Sequence, residues 1–438
     1  MINSDKLNQR LVKTLNLGLI IIFLTMPFYA FITVFFSSIV GHYTLIRLYK
    51  EIIVLILTLI SIYLVIVDKK LRNYLFKNKL IWLIIVFAFL VIIWGLVAYL
   101  KHGVSAKALG YGLIVDLRTL LIFVICYLLS FKLKIPDKKI IKLIIYPALI
   151  VIIFAMLQIF VLPNNFLSHF GYNIQTIKPY ETINSNKNYV RIIATLRGAN
   201  PLGAYLVIPI SLLAVLFYST KRRYLVLVSL IMAFLALFFS FSRSAWIGAI
   251  LALIVIFYVK LPSNLWRKRA LFGGLLMTII FIISLLLLHN NPEFDNIFFH
   301  TQNNSKAAYS SNAGHLFAFE SGIKQLITQP LGKGTGTAGP ASVYNIVPPR
   351  ISENFYIQIG QELGWLGLII YLWIQFIILK SLWRYRDNKL VLAFTASFIG
   401  ISFINLLSFA WADDTMAYIF WGFAGLIISK QNLLNDKN

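Results

Sequence analysis

The stretch SLIMAFLALFFSFSRSAWIGAILALIVIFYV, residues 229–259, decides the fold. The apolar runs on either side of Ser240-Phe241-Ser242-Arg243-Ser244 must each supply a membrane crossing. Each has only about 16 residues, or about 24 Å at about 1.5 Å per residue, against about 30 Å of hydrocarbon. The break between them is therefore expected to lie below the headgroup level, where non-helical backbone is tolerated only under cover of protein or beside a wet cavity. Arg243 then has two readings: it snorkels to lipid phosphates, or it faces a bound anion, since charge inside a membrane is costly and tends to mark a site.

The same hydropathy runs through all 438 residues, of which 59% are hydrophobic and 13% charged. A soluble protein carries roughly 25% charged residues, so the composition excludes that class. Apolar runs of crossing length recur about twelve times, and the chain reads as one polytopic all-α integral membrane domain over residues 1–438. The second span is placed at Leu45–Val67, the seventh at Tyr224–Ser240, the ninth at Ala270–Leu288, the eleventh at Leu390–Phe409 and the twelfth at Asp414–Ser429. The first run, Leu15–Ser37, follows Lys6, Arg10 and Lys13. It is too long for a signal-peptide core and lacks a small-residue cleavage site, so it reads as an uncleaved span.

Charge placement sets the orientation. The chain has 40 Lys and Arg against 15 Asp and Glu, a formal net charge of +25. The basic residues concentrate in every second connection, as in Lys221-Arg222-Arg223 and Arg267-Lys268-Arg269. Positive residues are retained on the cytoplasmic side, so the N- and C-termini are expected there, and the basic excess is a topology signal with no nucleic-acid partner. The single cysteine, Cys126, lies in an apolar run and allows neither an intrachain disulfide nor a cysteine metal site. The histidines His42, His102, His169, His289, His300 and His315 all fall on the outer side, none spaced as a metal pair. No metal or cofactor is expected.

Two outer connections are too long for plain turns, residues 163–200 and 289–353, and long loops in compact proteins are usually functional or disordered. In the second, Leu316, Phe319, Ile323, Leu326 and Ile327 share a helix face within Ala313–Thr328, which predicts an amphipathic helix lying on the membrane over the bundle.

Candidate chemistry gathers at the outer helix ends. Arg118 stands about two turns into the fourth span, where Asp116 could neutralise it. Arg191 and Arg197 flank RIIATLRGANPLGAYL, in which Asn200-Pro201 starts a helix whose free amides favour an anion. Guanidinium forks pair bidentately with phosphate, so several of them at one cavity would suit a diphosphate. PLGKGTG is not a nucleotide P-loop, because Gly334 follows Lys333 where Ser or Thr is needed; it is a flexible turn or a backbone nest for phosphate. In SENFYIQIGQELGWLGLIIYL, Glu353 is either a helix cap or a general base. Gly360, Gly364 and Gly367 would allow close helix packing, and Glu362, on the opposite face from Glu353, reads as structural. Asp413-Asp414 reads as a solvated turn.

Four stretches, RIIATLRGANPLGAYL, FSFSRSAWIGA, PLGKGTG and ENFYIQIGQELGWLG, together resemble the O-antigen ligase and polysaccharide polymerase family of bacterial membrane glycosyltransferases, over roughly residues 185–370. The resemblance implies a GT-C-like, metal-independent enzyme in the plasma membrane with its site on the extracytoplasmic face. It implies an undecaprenyl-diphosphate-linked oligosaccharide as donor and as acceptor, with membrane lipids, a flippase and a chain-length regulator as partners. It puts Arg191 and Arg243 at the lipid diphosphate and matches Glu353-Asn354 to a pattern that normally begins with His; Arg197, Arg118, His315 and Asn354 are further binding candidates, and Glu353 is the candidate catalytic residue. The expected activity is polymerisation of repeat units of a surface polysaccharide such as O-antigen, capsule or exopolysaccharide. The alternatives are a ligase passing finished glycan to a lipid or cell-wall acceptor and, from another class, a polysaccharide flippase or transporter.

Overall fold

The computed structural model describes residues 4–183, 186–262, 265, 269 and 311–435. The expected ninth span, Ala270–Leu288, lies outside the described residues, as do Arg267, Lys268, His289 and His300. What is described is a helical bundle with one small hairpin.

Among the described residues, eight helices are long and apolar enough to cross a membrane, where about twelve spans are expected from the sequence. The first is a composite of α1 (Ser4–Thr25) and α2 (Tyr29–Val40), joined through a 3-10 turn that holds Pro27. The second is likewise broken, into α3 (Tyr43–Arg47) and α4 (Tyr49–Val67), with a short α5 (Lys69–Lys77) after it. Then come α6 (Lys79–Leu100), α7 (Ala106–Lys132), α8 (Asp137–Phe160) and α9 (Ala199–Phe217). The expected seventh and eleventh spans are the shorter apolar helices α10 (Arg223–Phe239) and α14 (Lys389–Ile404). Between them lie α11 (Arg243–Lys260), α12 (Ser311–Thr328) and α13 (Phe355–Arg384). The last helix, α15 (Asp414–Asn435), is not among the eight. It is buried without interruption from Asp414 to Ser429, and a helix wrapped by protein does not need the apolar surface that lipid demands.

Small residues set the close approaches. α15 lies along α7, and α11 crosses α14 where Gly248 meets Gly400. A methyl group at Gly248 would sit 2.8 Å from the Gly400 carbonyl oxygen, so glycine is what lets the two backbones touch, the usual device for helix contact in lipid. Helix starts are capped by short polar side chains. Ser105 accepts from Ala108 N at 3.0 Å, and Asn388 accepts from Leu390 N at 2.8 Å.

The two ends of the bundle differ. At one, Lys430 meets Asp137 at 2.6 Å, Asn388 donates to the same carboxylate at 3.0 Å, and Lys132 pairs with Asp68. At the other, the starts of α9, α11, α13 and α15 converge, and α12 lies against α13. This is the site end. Residues 163–200, expected as a loop, contain a 3-10 turn (Phe166–Phe170) and an antiparallel hairpin of β1 (Glu181–Ile183) and β2 (Asn186–Arg191) that pairs Glu181 with Arg191.

α12 forms where the amphipathic helix is expected, but its inward face is different. Gly322 and Leu326 are buried, whereas Leu316, Phe319, Ile323 and Ile327 are exposed. Gly322 faces Ile357, and Gly360 of α13 faces Leu326. Gln325 accepts from Gln361 at 2.8 Å and from Arg350 at 2.7 Å. Gly322, Gln325 and Leu326 thus dock the helix, with Gly322 and Gly360 leaving room for Ile357 and Leu326.

Candidate functional site

The hydropathy break at 240–242 is present as three residues between α10 and α11, with Arg243 opening the second helix. Phe241 has φ 48°. The segment before α9 is stapled to this break: Ile192 N donates to Phe239 O at 3.2 Å and Arg191 Nε to Ser240 O at 2.9 Å. Arg191 also donates to Asn200 at 2.6 Å and lies 3.4 Å from the Glu181 carboxylate. Glu181 in turn accepts from Ala199 N, at the start of α9, at 3.3 Å. The anion expected at this helix start is supplied by the protein's own hairpin. Sequence reading missed Glu181; the signal was the polar stretch NSNKN between ETI and YVR, and the strand register puts Glu181 opposite Arg191.

A cavity of about 240 Å³ opens beside these elements. Its walls come from Arg197, Asn200, Pro201 and Ala204 around the start of α9, His315 of α12, Glu353, and residues 407–410 with Asp413 between α14 and α15. The wall is held from behind by two asparagines. Asn354 accepts from Ile357 N at 3.0 Å and donates to Leu406 O at 2.9 Å, while Asn405 O accepts from Phe355 N at 3.0 Å and Asn405 Oδ1 from Trp411 N at 2.9 Å. Asn354 is therefore the cap of α13 and is buried; it does not face the cavity.

That leaves Glu353 outside the helix, so the cap reading does not apply to it. Its φ is 53°, a left-handed conformation that costs a side chain with a Cβ roughly 1–2 kcal/mol. Its carboxylate meets His315 Nδ1. Partial burial and the nearby Arg243 cation hold the His315 imidazole below its ordinary value of 6.5, which favours the uncharged ring at neutral pH. Ala194 and Phe241 also have positive φ, and both flank the same end of the bundle. Backbone strain of this kind persists only where the surroundings enforce it, and it clusters at functional sites.

The remaining candidates divide. Arg197 lines the cavity with Asp413 3.5 Å away. Arg243 lies close enough to Arg191 and His315 to act on both electrostatically. Arg118 is turned away from the cavity. It is buried, paired with Asp414 and bonded to the Ala412 carbonyl, and it reaches Asp116 through its field alone, with no hydrogen bond between them. Lys50, in the broken second span, is buried 2.8 Å from Glu51 and 3.6 Å from Asp414. Asp413-Asp414 is thus no solvated turn: both are buried, Asp413 capping α15 through Thr415 N at 3.0 Å.

The glycine stretch is also different from either reading. Gly332, Gly334 and Gly336 all have positive φ. Lys333 N donates to Gln361 O at 3.0 Å, Gly334 N to Glu362 O at 2.7 Å, and Gly336 N and Ala338 N to Glu362 Oε1 at 2.9 and 3.2 Å. The backbone forms a nest, and Glu362 fills it. Gly364 does not serve helix packing: at φ 69° it breaks α13, and the loop backbone at Pro330 and Leu331 occupies the gap.

Fold and cavity together define a polytopic α-helical membrane protein with a cation-rimmed, carboxylate-bearing pocket at one end of the bundle. Residues 227–372 match the protein family described as O-antigen ligase, which takes in FSFSRSAWIGA, PLGKGTG and ENFYIQIGQELGWLG but not RIIATLRGANPLGAYL. The chain is also 28% identical over 257 residues to an O-antigen polymerase of Salmonella muenchen, covering 56% of this chain and 62% of that protein. The match thus spans less than two thirds of that relative's length. Over parts of its length the chain is thus similar to the O-antigen ligase family and to an O-antigen polymerase.

Proposed function

We propose that this protein is a metal-independent membrane glycosyltransferase that polymerises lipid-linked oligosaccharide units of a surface polysaccharide. The site end faces the extracytoplasmic side, both termini are cytoplasmic, and the chain makes about twelve crossings. The donor is the growing glycan on undecaprenyl diphosphate, and a hydroxyl of an incoming lipid-linked unit attacks its anomeric carbon. Glu353 takes the hydroxyl proton, held in place by the Nδ1–H of neutral His315. The bond to the diphosphate oxygen breaks, and Arg197 and Arg243 stabilise the charge that develops there, the usual task of such clamps.

The observation that carries this reading is the pairing of His315 with a strained Glu353 in a cavity that also holds Arg197. A ligase reading draws on the description of the matched family; it differs in the acceptor alone. Glu353→Gln keeps size and hydrogen bonding but removes the base, and general-base catalysis contributes on the order of 100- to 10,000-fold. In cells making the polysaccharide, long polymer is expected to vanish while single lipid-linked units accumulate, and to return in part with Glu353→His. Normal polymer from equal amounts of the Gln variant removes Glu353 from the mechanism. Accumulation of finished polymer on the lipid carrier, in place of single units, converts the reading to a ligase.

A further inference from the structure

Behind the cavity, Asp116 of α7 and Glu362 of α13 place two carboxyl groups within hydrogen-bonding reach of each other, 2% and 0% exposed. Only one of their four oxygens has a donor: Glu362 Oε1, which receives Gly336 N and Ala338 N. Glu362 Oε2 and both Asp116 oxygens have none. Neither of the cations nearby hydrogen-bonds them, although Arg118 Nε and Arg350 Nη1 are themselves buried without a partner. Arg118 is held by Asp414 and Ala412 O, and Arg350 donates to Gln325 and Gln329 at 2.7 and 2.9 Å. The Tyr371 hydroxyl, also within electrostatic range, accepts from Gln375 at 2.7 Å.

Two bare carboxylates in contact inside an apolar bundle would carry the desolvation cost of both charges and their mutual repulsion. A single proton removes most of that, because one carboxyl then donates to the other and two orphan oxygens are satisfied together. We propose that Asp116 and Glu362 share one proton, and that the resulting pair is the latch holding the re-entrant segment 330–338 between α6, α7 and α13. The segment needs a latch. Gly334 packs on the Trp94 carbonyl, and Gly336 on Ala108 and Gly112, so the amides of the buried part, residues 334–338, are shut off from water and must bond inside the protein. Because the segment is the continuation of α12, Glu362 acts as a positioning residue for His315. That last consequence rests on the proposed function; the shared proton does not.

The purified full-length protein in detergent, and cells producing it, test this with Glu362→Gln, Asp116→Asn and Glu362→Ala. A Gln side chain can accept both loop amides and donate its NH2 to Asp116, which copies the shared proton. Glu362→Gln is therefore expected to keep thermal stability and polymer, and Asp116→Asn likewise. Glu362→Ala is expected to lose both. Infrared difference spectra should show a protonated carboxyl band at neutral pH in the wild type that is missing from Glu362→Gln and from Asp116→Asn. A wild type lacking that band, or a Gln variant as damaged as the Ala variant, overturns the latch and points to a bound cation or a chemical role for Glu362. Should Glu362→Ala fail to accumulate, the band and the Gln variant still decide. Failure of the wild type to make polymer from lipid-linked units would sink the proposed function while leaving the stability and infrared results to judge the latch.

Discussion

Arg197, His315 and Glu353 stand 47%, 47% and 39% exposed around the cavity, whereas Lys50, Arg118 and Asp414, at the same end of the bundle, are 1%, 4% and 5% exposed. In the sequence the two sets look alike, as isolated charges near the ends of apolar runs. In the fold the buried set spends its charge on itself: Arg118 is answered by Asp414, a residue 296 positions away, and by the Ala412 carbonyl. The exposed set keeps polar atoms directed into open volume. An intramembrane cation therefore marks a site only when it borders open volume, and burial against a carboxylate partner marks scaffold instead, even though Arg118 Nε keeps no hydrogen bond. Both sets meet in the turn before α15, where Asp414 faces inward to Arg118 and Asp413 faces the cavity and Arg197.

The largest effect that could break this contrast is on activity. Arg197→Ala is expected to lower polymerisation by roughly 100- to 1,000-fold, the usual loss when one charge-stabilising donor is removed, with the melting temperature unchanged. A matching fall in melting temperature would move Arg197 into the scaffold set. The converse holds for Arg118→Ala, which leaves Asp414 buried without its main partner and should cost about 3–5 kcal/mol of stability, read by denaturation in mixed detergent. Arg118→Met with Asp414→Leu should recover most of that loss, since an apolar pair of similar volume is often no worse than a buried ion pair. If the double variant is as unstable as the single one, the network does more than neutralise charge.

A smaller effect separates strain at the site from strain in the scaffold. Gly364→Ala must hold a Cβ at φ 69° against the Pro330 carbonyl, so a destabilisation of more than about 1 kcal/mol is expected. Glu353→Gly relieves its own positive φ and should leave stability equal or slightly raised while activity is lost. The smallest expected effect is a pH shift. With its imidazole held below 6.5 by burial and Arg243, His315 stays neutral until the pH falls through that lowered value. On further acidification it gains a charge beside Arg243. Carbethoxylation of His315, followed by mass spectrometry, should therefore have its midpoint below 6.5, and Arg243→Gln should raise the midpoint. An unmoved midpoint would mean that Arg243 does not act on His315.

Much of the architecture was legible locally. The paired short runs around Ser240–Ser244, the helix start near Asn200-Pro201 and the helix in the second long connection can all be read from hydropathy and capping chemistry, which depend on residues within a few positions of one another. The candidates Arg197, His315 and Glu353 were legible for the same reason, as polar groups at helix starts. What could not be read was which partner each charge takes. Arg118 looked like a binding candidate that Asp116 could neutralise, Asn354 like a ligand, PLGKGTG like a flexible turn or a phosphate nest, and Asp413-Asp414 like a wet turn.

Each of those assignments turned on a group far away in the chain: Asp414 for Arg118, Leu406 O for Asn354, Glu362 for the glycine nest, and Arg197 for Asp413. The sequence by itself determined that this chain is an all-α membrane bundle with its candidate chemistry at helix ends, because in lipid the backbone must satisfy its hydrogen bonds within each helix and hydropathy is a local quantity. Only the tertiary structure decided which charges are neutralised and which remain available, because desolvation and ion pairing depend on contacts that the packing of distant helices creates.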